Sequence, residues 1–179
     1  MIKTYLYFNQ ISSTSDYLKE NYQSLPSLTF IQTGYQTGGR GQFDRVWEST
    51  EKENVLFSFL LKDILVDRLD LIKEYVLGSI LDTLKQYHIS GSFKAPNDIY
   101  VNGKKICGIL IENLTELENC LYVVVGIGLN VNQEQFTGFS ATSLKLETGR
   151  LFDVGEVYTT LSNRLYDWMV RVNGTKGIY

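Results

Sequence analysis

Lys105 is the residue whose position most narrows the chemistry open to this chain. It stands between Asn102-Gly103, a strong hairpin signal, and the apolar run Ile106 to Ile111, so it enters a strand directly from a turn. A strand that buries apolar side chains excludes an ammonium group unless the group meets an anion or reaches water along its own stem. Lys105 therefore either snorkels or receives a carboxylate or phosphate. A second set, Gly38-Gly39-Arg40-Gly41 with Arg45 and Trp47 beyond it, falls in the polar segment Gly34 to Asn54. Glycines free backbone amides to turn toward an anion, and arginine supplies a fixed fork of donors. A flexible surface loop is the plainer reading of the glycines, and snorkelling is the plainer reading of the lysine. The two sets in one chain favour anion binding. The loop lacks the GxxxxGK(S/T) of a Walker A site and the strand-borne GxGxxG of a dinucleotide fold, which weakens kinase and dehydrogenase readings.

Other reactive side chains contribute little. The lone histidine, His88, closes a helical pattern beside Gln86 and Tyr87, where a cation suits the helix C-terminus. Cys107 and Cys120 fit no zinc or redox spacing and read as buried thiols in a reducing compartment. The formal net charge of −3 gives no footprint for nonspecific nucleic-acid binding. No apolar run approaches the ~18 residues of a membrane span, and Met1-Ile2-Lys3 leads straight into a strand-like segment without a signal peptide. The expected address is the cytoplasm.

These residues need elements to hold them. At 179 residues the chain suits one compact domain spanning 1–179. Thr4 to Phe8 reads as a strand, and Ser13 with Asp16 makes a capping-box spacing for a helix through about Tyr22. Leu28 to Thr33 and Val55 to Leu61 read as strands on either side of the long glycine-bearing segment, whose length marks it as functional or disordered. Leu69, Ile72, Val76, Ile80 and Leu84 form one face of a helix over Asp67 to Tyr87. Pro96-Asn97-Asp98 is turn chemistry before the hairpin. Leu121 to Gly126 is apolar enough to be buried on both faces and runs into GIGLNVN, Gly126 to Asn132, where glycines permit close approach of a backbone or ligand. A last helix over Gly155 to Val172 turns Val157, Leu161, Leu165 and Trp168 inward.

Five segments in this order resemble the biotin protein ligases, which join biotin to a lysine of carboxylase carrier domains. SSTSDYL at Ser12 to Leu18 is similar to the family's Ser-Thr-Asn helix start, and YQTGGRGQFDRVW at Tyr35 to Trp47 to its glycine-arginine loop. KAPND, KKICGILIE and GIGLNVN resemble the Lys-Trp-Pro-Asn-Asp turn, the Lys-x-x-Gly-Ile-Leu strand and the Gly-Ile-Gly-x-Asn-Val segment. The resemblance implies an α+β fold: a mixed, largely antiparallel central sheet with flanking helices, of the class II synthetase-like biotin/lipoate ligase kind.

It also implies an ATP-dependent ligase with ATP and biotin as substrates and Mg2+ beside the nucleotide. Ser13, Thr14, Ser15 and Gln36 would face the biotin ureido ring. Gly39, Gly41, Gln42 and Gly108 would line the rest of the biotin pocket. Lys105 and Arg40 would be the catalytic cations on carboxylate and phosphate oxygens. Gln42, Arg45, Trp47, Asn97, Asp98 and Asn130 would line the nucleotide region. Neither step of such a reaction needs a protein nucleophile, so cations, backbone donors and placement do the work.

The departures from the family pattern are Ser15 for asparagine, Ala95 for tryptophan, Gln42 for arginine, and Phe43-Asp44 for the following Arg-Gly. The implied partner is a biotin carboxyl carrier protein or domain, with no nucleic acid or membrane, and the assembly is a monomer or a sheet-edge homodimer. No N-terminal DNA-binding segment is expected, and the small C-terminal β domain of many relatives is expected to be absent or reduced. The rival readings are a lipoate or octanoate ligase-like acyltransferase, which here lacks the Arg-Arg-x-Ser-Gly-Gly-Gly loop, and a non-catalytic biotin-binding sensor.

Overall fold

Strands Thr4–Phe8 (β1) and Thr29–Thr33 (β2) run parallel, which requires a crossover between them, and helix Thr14–Asn21 (α1) supplies it. Among the described residues, all other pairings between the sheet's strands are antiparallel. The computed structural model describes residues 3–42, 45–138 and 140–176. Its sheet continues through Asn54–Leu65 (β3), Ser92–Lys94 (β4), Asp98–Val101 (β5), Lys104–Glu116 (β6) and Asn119–Asn130 (β7), in the spatial order β1-β2-β3-β7-β6-β5-β4. The expected mixed, largely antiparallel α+β sheet is therefore observed. Helices Leu69–Gln86 (α2), Leu144–Thr148 (α3) and Val154–Lys176 (α4) complete the fold. No helix among the described residues is long and apolar enough to cross a membrane.

Period-two alternation gives the sheet two unlike faces. Phe57, Phe59, Val123, Val125, Ile127 and Leu129 join one core with Ile72, Val76, Ile80 and Leu84 of α2 and Val157, Leu161 and Leu165 of α4. The helical stripes read from the sequence are thus the buried faces, with Leu69 and Trp168 only partly covered. On the opposite face a smaller cluster, Leu18 with Ile31, Leu60 and Val124, seats α1 over one end of the sheet. That leaves the middle of β3, β7 and β6 available to the functional site.

Four details differ from the sequence reading. β3 runs four residues beyond Leu61, because its ladder with β7 continues to Leu65↔Asn119. β7 absorbs Gly126 to Asn130, since ladder hydrogen bonds use only the backbone and glycine breaks none of them. β4 is too short for a periodic signal, and α3 is a five-residue helix whose Ser143 hydroxyl accepts from the Leu146 amide at 3.2 Å. The hairpin expected at Asn102-Gly103 is present, with φ of 49° and 76°, the pair a two-residue type I′ turn requires. His88 ends α2 in the left-handed region, exposed and outside the cavity described below, and both cysteines are buried.

Candidate active site

Three glycines make a flat floor on the open face of the sheet. Gly108 and Gly128 are cross-strand partners, and Gly126 opposes Ser58. The Trp47 indole lies against the first pair so closely that a Cβ on Gly128 would stand 2.5 Å from the ring, and one on Gly108 2.7 Å. A Cβ on Gly126 would stand 2.6 Å from Ser15 Oγ. Any side chain at these positions would displace the groups above them. The cavity over this floor, about 590 Å³, is closed by the start of α1 and by the glycine-arginine loop.

One end of the cavity is a chain of uncharged polar groups. Ser13 caps α1, its hydroxyl accepting from the Asp16 amide at 3.2 Å. The capping box is only half realised, because the Asp16 carboxylate turns to Arg40 and Lys19 instead of returning to Ser13. Gln36 Oε1 accepts from the Thr14 amide at 2.9 Å and from its hydroxyl at 3.1 Å. Thr14 Oγ1 lies 2.7 Å from Ser58 Oγ, which lies 2.9 Å from Ser15 Oγ. The loop is tied beside these groups by the amides of Thr37 and Gly38, which donate to the carbonyls of Ile11 and Ser12. With the Gln36 oxygen used twice, its amide nitrogen has no acceptor among the described residues and can donate at one end of the chain, while Ser15 offers lone pairs at the other. That donor and acceptor pair suits a planar amide or urea.

The other end is cationic. Lys105 Nζ pairs with Asp98 Oδ1 at 2.7 Å and stands 5.2 Å from the centre of the Trp47 ring. Its backbone is fixed on the edge of β6 away from β5, donating to Ser140 at 3.1 Å and accepting from Thr142 at 2.8 Å. Lys105 thus has a carboxylate partner within the protein, while Lys104 is exposed. Arg40 sits in a four-charge cluster, donating to Asp16 at 2.6 and 3.1 Å and to Glu112 at 3.0 and 3.1 Å, with Lys19 bridging the same two carboxylates. Burial alone would raise the Asp16 carboxyl, but hydrogen bonds from Lys19 and Arg40 outweigh it and hold it below its ordinary range. Burial likewise works against the charges of Lys19 and Arg40, and their carboxylate partners push both upward. Burial pushes the Cys107 thiol up, which keeps it protonated and inert despite its place beside Lys105.

Of the residues singled out in the sequence, Ser13, Thr14, Ser15, Gln36, Arg40, Gly41, Gln42, Arg45, Trp47, Asn97, Asp98, Lys105 and Gly108 line this one cavity. Gly39 and Asn130 do not. The Gly39 carbonyl accepts from the Trp47 amide at 2.9 Å within the loop, and the Asn130 side chain donates to the Thr142 carbonyl at 3.0 Å, tying down the segment that flanks Lys105. Ala95 is exposed and off the cavity wall. Phe43 and Asp44 lie outside the described residues. Sequence reasoning gave no site role to Ser58 or Lys94, and read Gly126 and Gly128 only as points of close approach by a backbone or ligand; all four line the cavity. A single hydroxyl inside the apolar run Val55 to Leu61, and two glycines at strand spacing, were the available signals. Among the described residues no group of three or more His, Cys, Asp or Glu side chains could hold a resident metal.

Residues 7–130 match the biotin/lipoate A/B protein ligase family, and the chain belongs to it. It is 34% identical over 132 residues to the bifunctional ligase/repressor BirA of Bacillus subtilis (strain 168), a match covering 72% of this chain and 41% of that protein. With BirA of Bacillus spizizenii it shares 32% over 177 residues, covering 92% and 54%. The structure of the biotin protein ligase from Aquifex aeolicus in complex with biotin and ATP superposes with a TM-score of 0.81 at 30% identity, covering 97% of this chain and 73% of that one. The chain thus spans about half the length of the two BirA relatives.

Proposed function

We propose that this domain activates biotin with ATP as biotinyl-5′-adenylate and transfers it to a lysine of a biotin carboxyl carrier domain. The observation that carries this reading is the placement of a urea-complementary hydroxyl and amide chain and a pair of cations on one glycine floor. The likeness to a ligase solved with biotin and ATP supports it.

In the first step a carboxylate oxygen of biotin bonds to the α-phosphorus of ATP, the bond from that phosphorus to the bridging oxygen breaks, and pyrophosphate leaves with the electron pair. Both reactants are anions, so the barrier falls when their charges are neutralised in a fixed geometry. Thr14, Ser15, Ser58 and Gln36 orient the ureido ring, and Ser13 holds the start of α1 beside it. Lys105 lies between carboxylate and α-phosphate and exchanges part of its contact with Asp98 for them. Arg40, held by Asp16 and Glu112, presents its remaining donors to the same oxygens, with Gly41 and Gln42 following it along the wall. Trp47 and Arg45 border the nucleotide. Asp98 and Asn97 would hold a magnesium ion arriving with the nucleotide, which would supply charge neutralisation for the phosphates there. In the second step the neutral amine of the acceptor lysine attacks the acyl carbon, AMP departs with the anhydride electrons, and the amine loses its proton.

The test is mass spectrometry of a carrier domain incubated with this protein, magnesium, ATP and either biotin or lipoate. A mass gain of one biotin on one lysine is expected. Preferential lipoate or octanoate transfer would move the assignment to the acyltransferase branch, and biotin binding without transfer would make the protein a sensor.

A further inference from the structure

We infer that Glu147, on α3, is a positioning residue for Lys105, fixing where the ammonium stands by holding the backbone on two sides of it. This rests on the ligase reading above. The ladder between β6 and β7 begins at Cys107↔Leu129, so Lys105 lies outside the cover of β7. The segment 140–142 takes that place through a single parallel bridge, Lys105↔Ala141, whose two backbone hydrogen bonds are those with Ser140 and Thr142. The Glu147 carboxylate joins this segment to the turn that feeds Lys105 into the strand. Its Oε1 accepts from the Thr142 hydroxyl at 2.6 Å, and its Oε2 accepts from the Asn102 side-chain amide at 2.7 Å.

A bridge of one residue is far shorter than the strand pairings that stand alone, so it depends on what fastens its ends. Asn130 holds the Thr142 carbonyl, and Glu147 holds the hydroxyl of the same buried residue. Glu147 is itself on fixed ground, since Ser143 caps α3, Leu144 is buried, and the Lys145 amide donates to the Val131 carbonyl at 2.9 Å. Asn102 precedes Lys105 by three residues and is held left-handed by the turn, which sets the direction of its side chain. Chain, bridge and carboxylate thus close a ring on Lys105, and an ionised carboxylate makes both arms charge-assisted. The ring fixes the backbone while Asp98 fixes the ammonium, and a misplacement of ~1 Å in such a group costs about 10²-fold in rate. A glutamate that only fastened α3 would act to the same extent with or without a lysine at position 105.

Single-turnover formation of biotinyl-adenylate reads the rate, and Trp47 emission in a Trp168→Phe background reads the placement of Lys105. Glu147→Ala is expected to slow adenylate formation by about 10–100-fold while biotin affinity stays within about twofold, because the ureido end is remote. Glu147→Gln should remain within about threefold of the parent, since its oxygen accepts from Thr142 and its nitrogen donates to a reversed Asn102 amide. Asn102→Gly keeps the turn and removes one arm, so its rate should fall between the two. In a Lys105→Ala background, adding Glu147→Ala should slow the reaction by less than about twofold more. The ammonium lies 5.2 Å from the Trp47 ring, so Glu147→Ala should shift the emission in the same direction as Lys105→Ala. An unchanged rate in either Glu147→Ala or Asn102→Gly, or a full additional loss in the Lys105→Ala background, overturns the inference. A parent that forms no adenylate overturns the ligase reading alone, and the emission shift then decides the inference without turnover.

Discussion

Lys105 and Asp98 form a 2.7 Å ion pair that holds the lysine ammonium over the Trp47 indole, inside the cavity. Neither residue comes from a neighbouring turn of helix. The pair spans two strands whose register slips at a bulge between Ile99 and Tyr100, and that slip brings the two side chains together. The lysine is thus oriented before any substrate enters, which is what electrostatic preorganisation requires.

A catalytic role for Lys105 separates from a structural one by comparison with its neighbour. Lys105→Ala should cut biotinyl-adenylate formation by about 10²–10³-fold, the effect of removing one preorganised donor. Lys104→Ala, at an exposed position, should change it less than about twofold. Single-turnover adenylate formation measures both, and equal losses would return Lys105 to a structural role.

The glycine floor predicts steric effects that differ from one position to the next. Gly128→Ala puts a methyl group where the Trp47 ring lies, so the indole must lift from the sheet. In a Trp168→Phe background, which leaves Trp47 as the only tryptophan, its emission should shift to the red. Gly126→Ala instead presses on Ser15 Oγ, and should weaken biotin binding by about tenfold or more while leaving the Trp47 spectrum unchanged. An identical spectral response in both variants would contradict the arrangement.

Much of this site was legible in the sequence because its cues are local. The Asn102-Gly103 turn, the Ser13 cap and the stripe on α2 each depend on a few adjacent residues, and each is found where the pattern put it. Lys105 was legible as a lysine needing an anion, but Asp98 was not legible as the partner, because the bulge that joins them has no sequence signature. The companions of Arg40 are harder still. Glu112 is 72 residues away in sequence, and Asp16 reads equally well as a cap residue. Gly126 and Gly128 looked like the end of a strand, since glycine carries little strand propensity, yet a ladder on both sides keeps them in β7.

The four-charge cluster of Asp16, Lys19, Arg40 and Glu112 gives the protein a pH dependence with a definite sign. The depressed Asp16 carboxyl contributes stability above its ordinary value near 3.9, and that contribution is lost as pH falls through the lower folded-state value. The raised Lys19 group contributes below its ordinary value near 10.4 and loses that contribution only as pH rises beyond it. Asp16→Asn should therefore lower Tm by a constant amount between pH 6 and 8, with the gap closing below about pH 4. Partial exposure limits the effect to about 1 kcal/mol or less. A gap that widens in acid would contradict the pairing.

Gln42 stands where the family pattern that the sequence resembles has an arginine, and it lines the cavity beside Arg40 and Gly41. A neutral amide holds an anion less firmly than a guanidinium, by about 1–2 kcal/mol, since hydrogen bonds to charged groups contribute about 1.5–3 kcal/mol against about 0.5–1.5 for neutral pairs. Gln42→Arg should slow release of the adenylate by roughly 5–30-fold and reduce labelling of bystander lysines in proportion. Unchanged release and unchanged labelling would reject this reading of the substitution.

The central claim is that this cavity joins biotin to the α-phosphate of ATP, and biotin-dependent exchange of labelled pyrophosphate into ATP tests it most directly. The account predicts exchange that requires both magnesium and biotin, is not supported equally by lipoate or octanoate, and falls by about 10²–10³-fold in Lys105→Ala. Exchange that proceeds without biotin, runs better with lipoate, or survives intact in Lys105→Ala would contradict it.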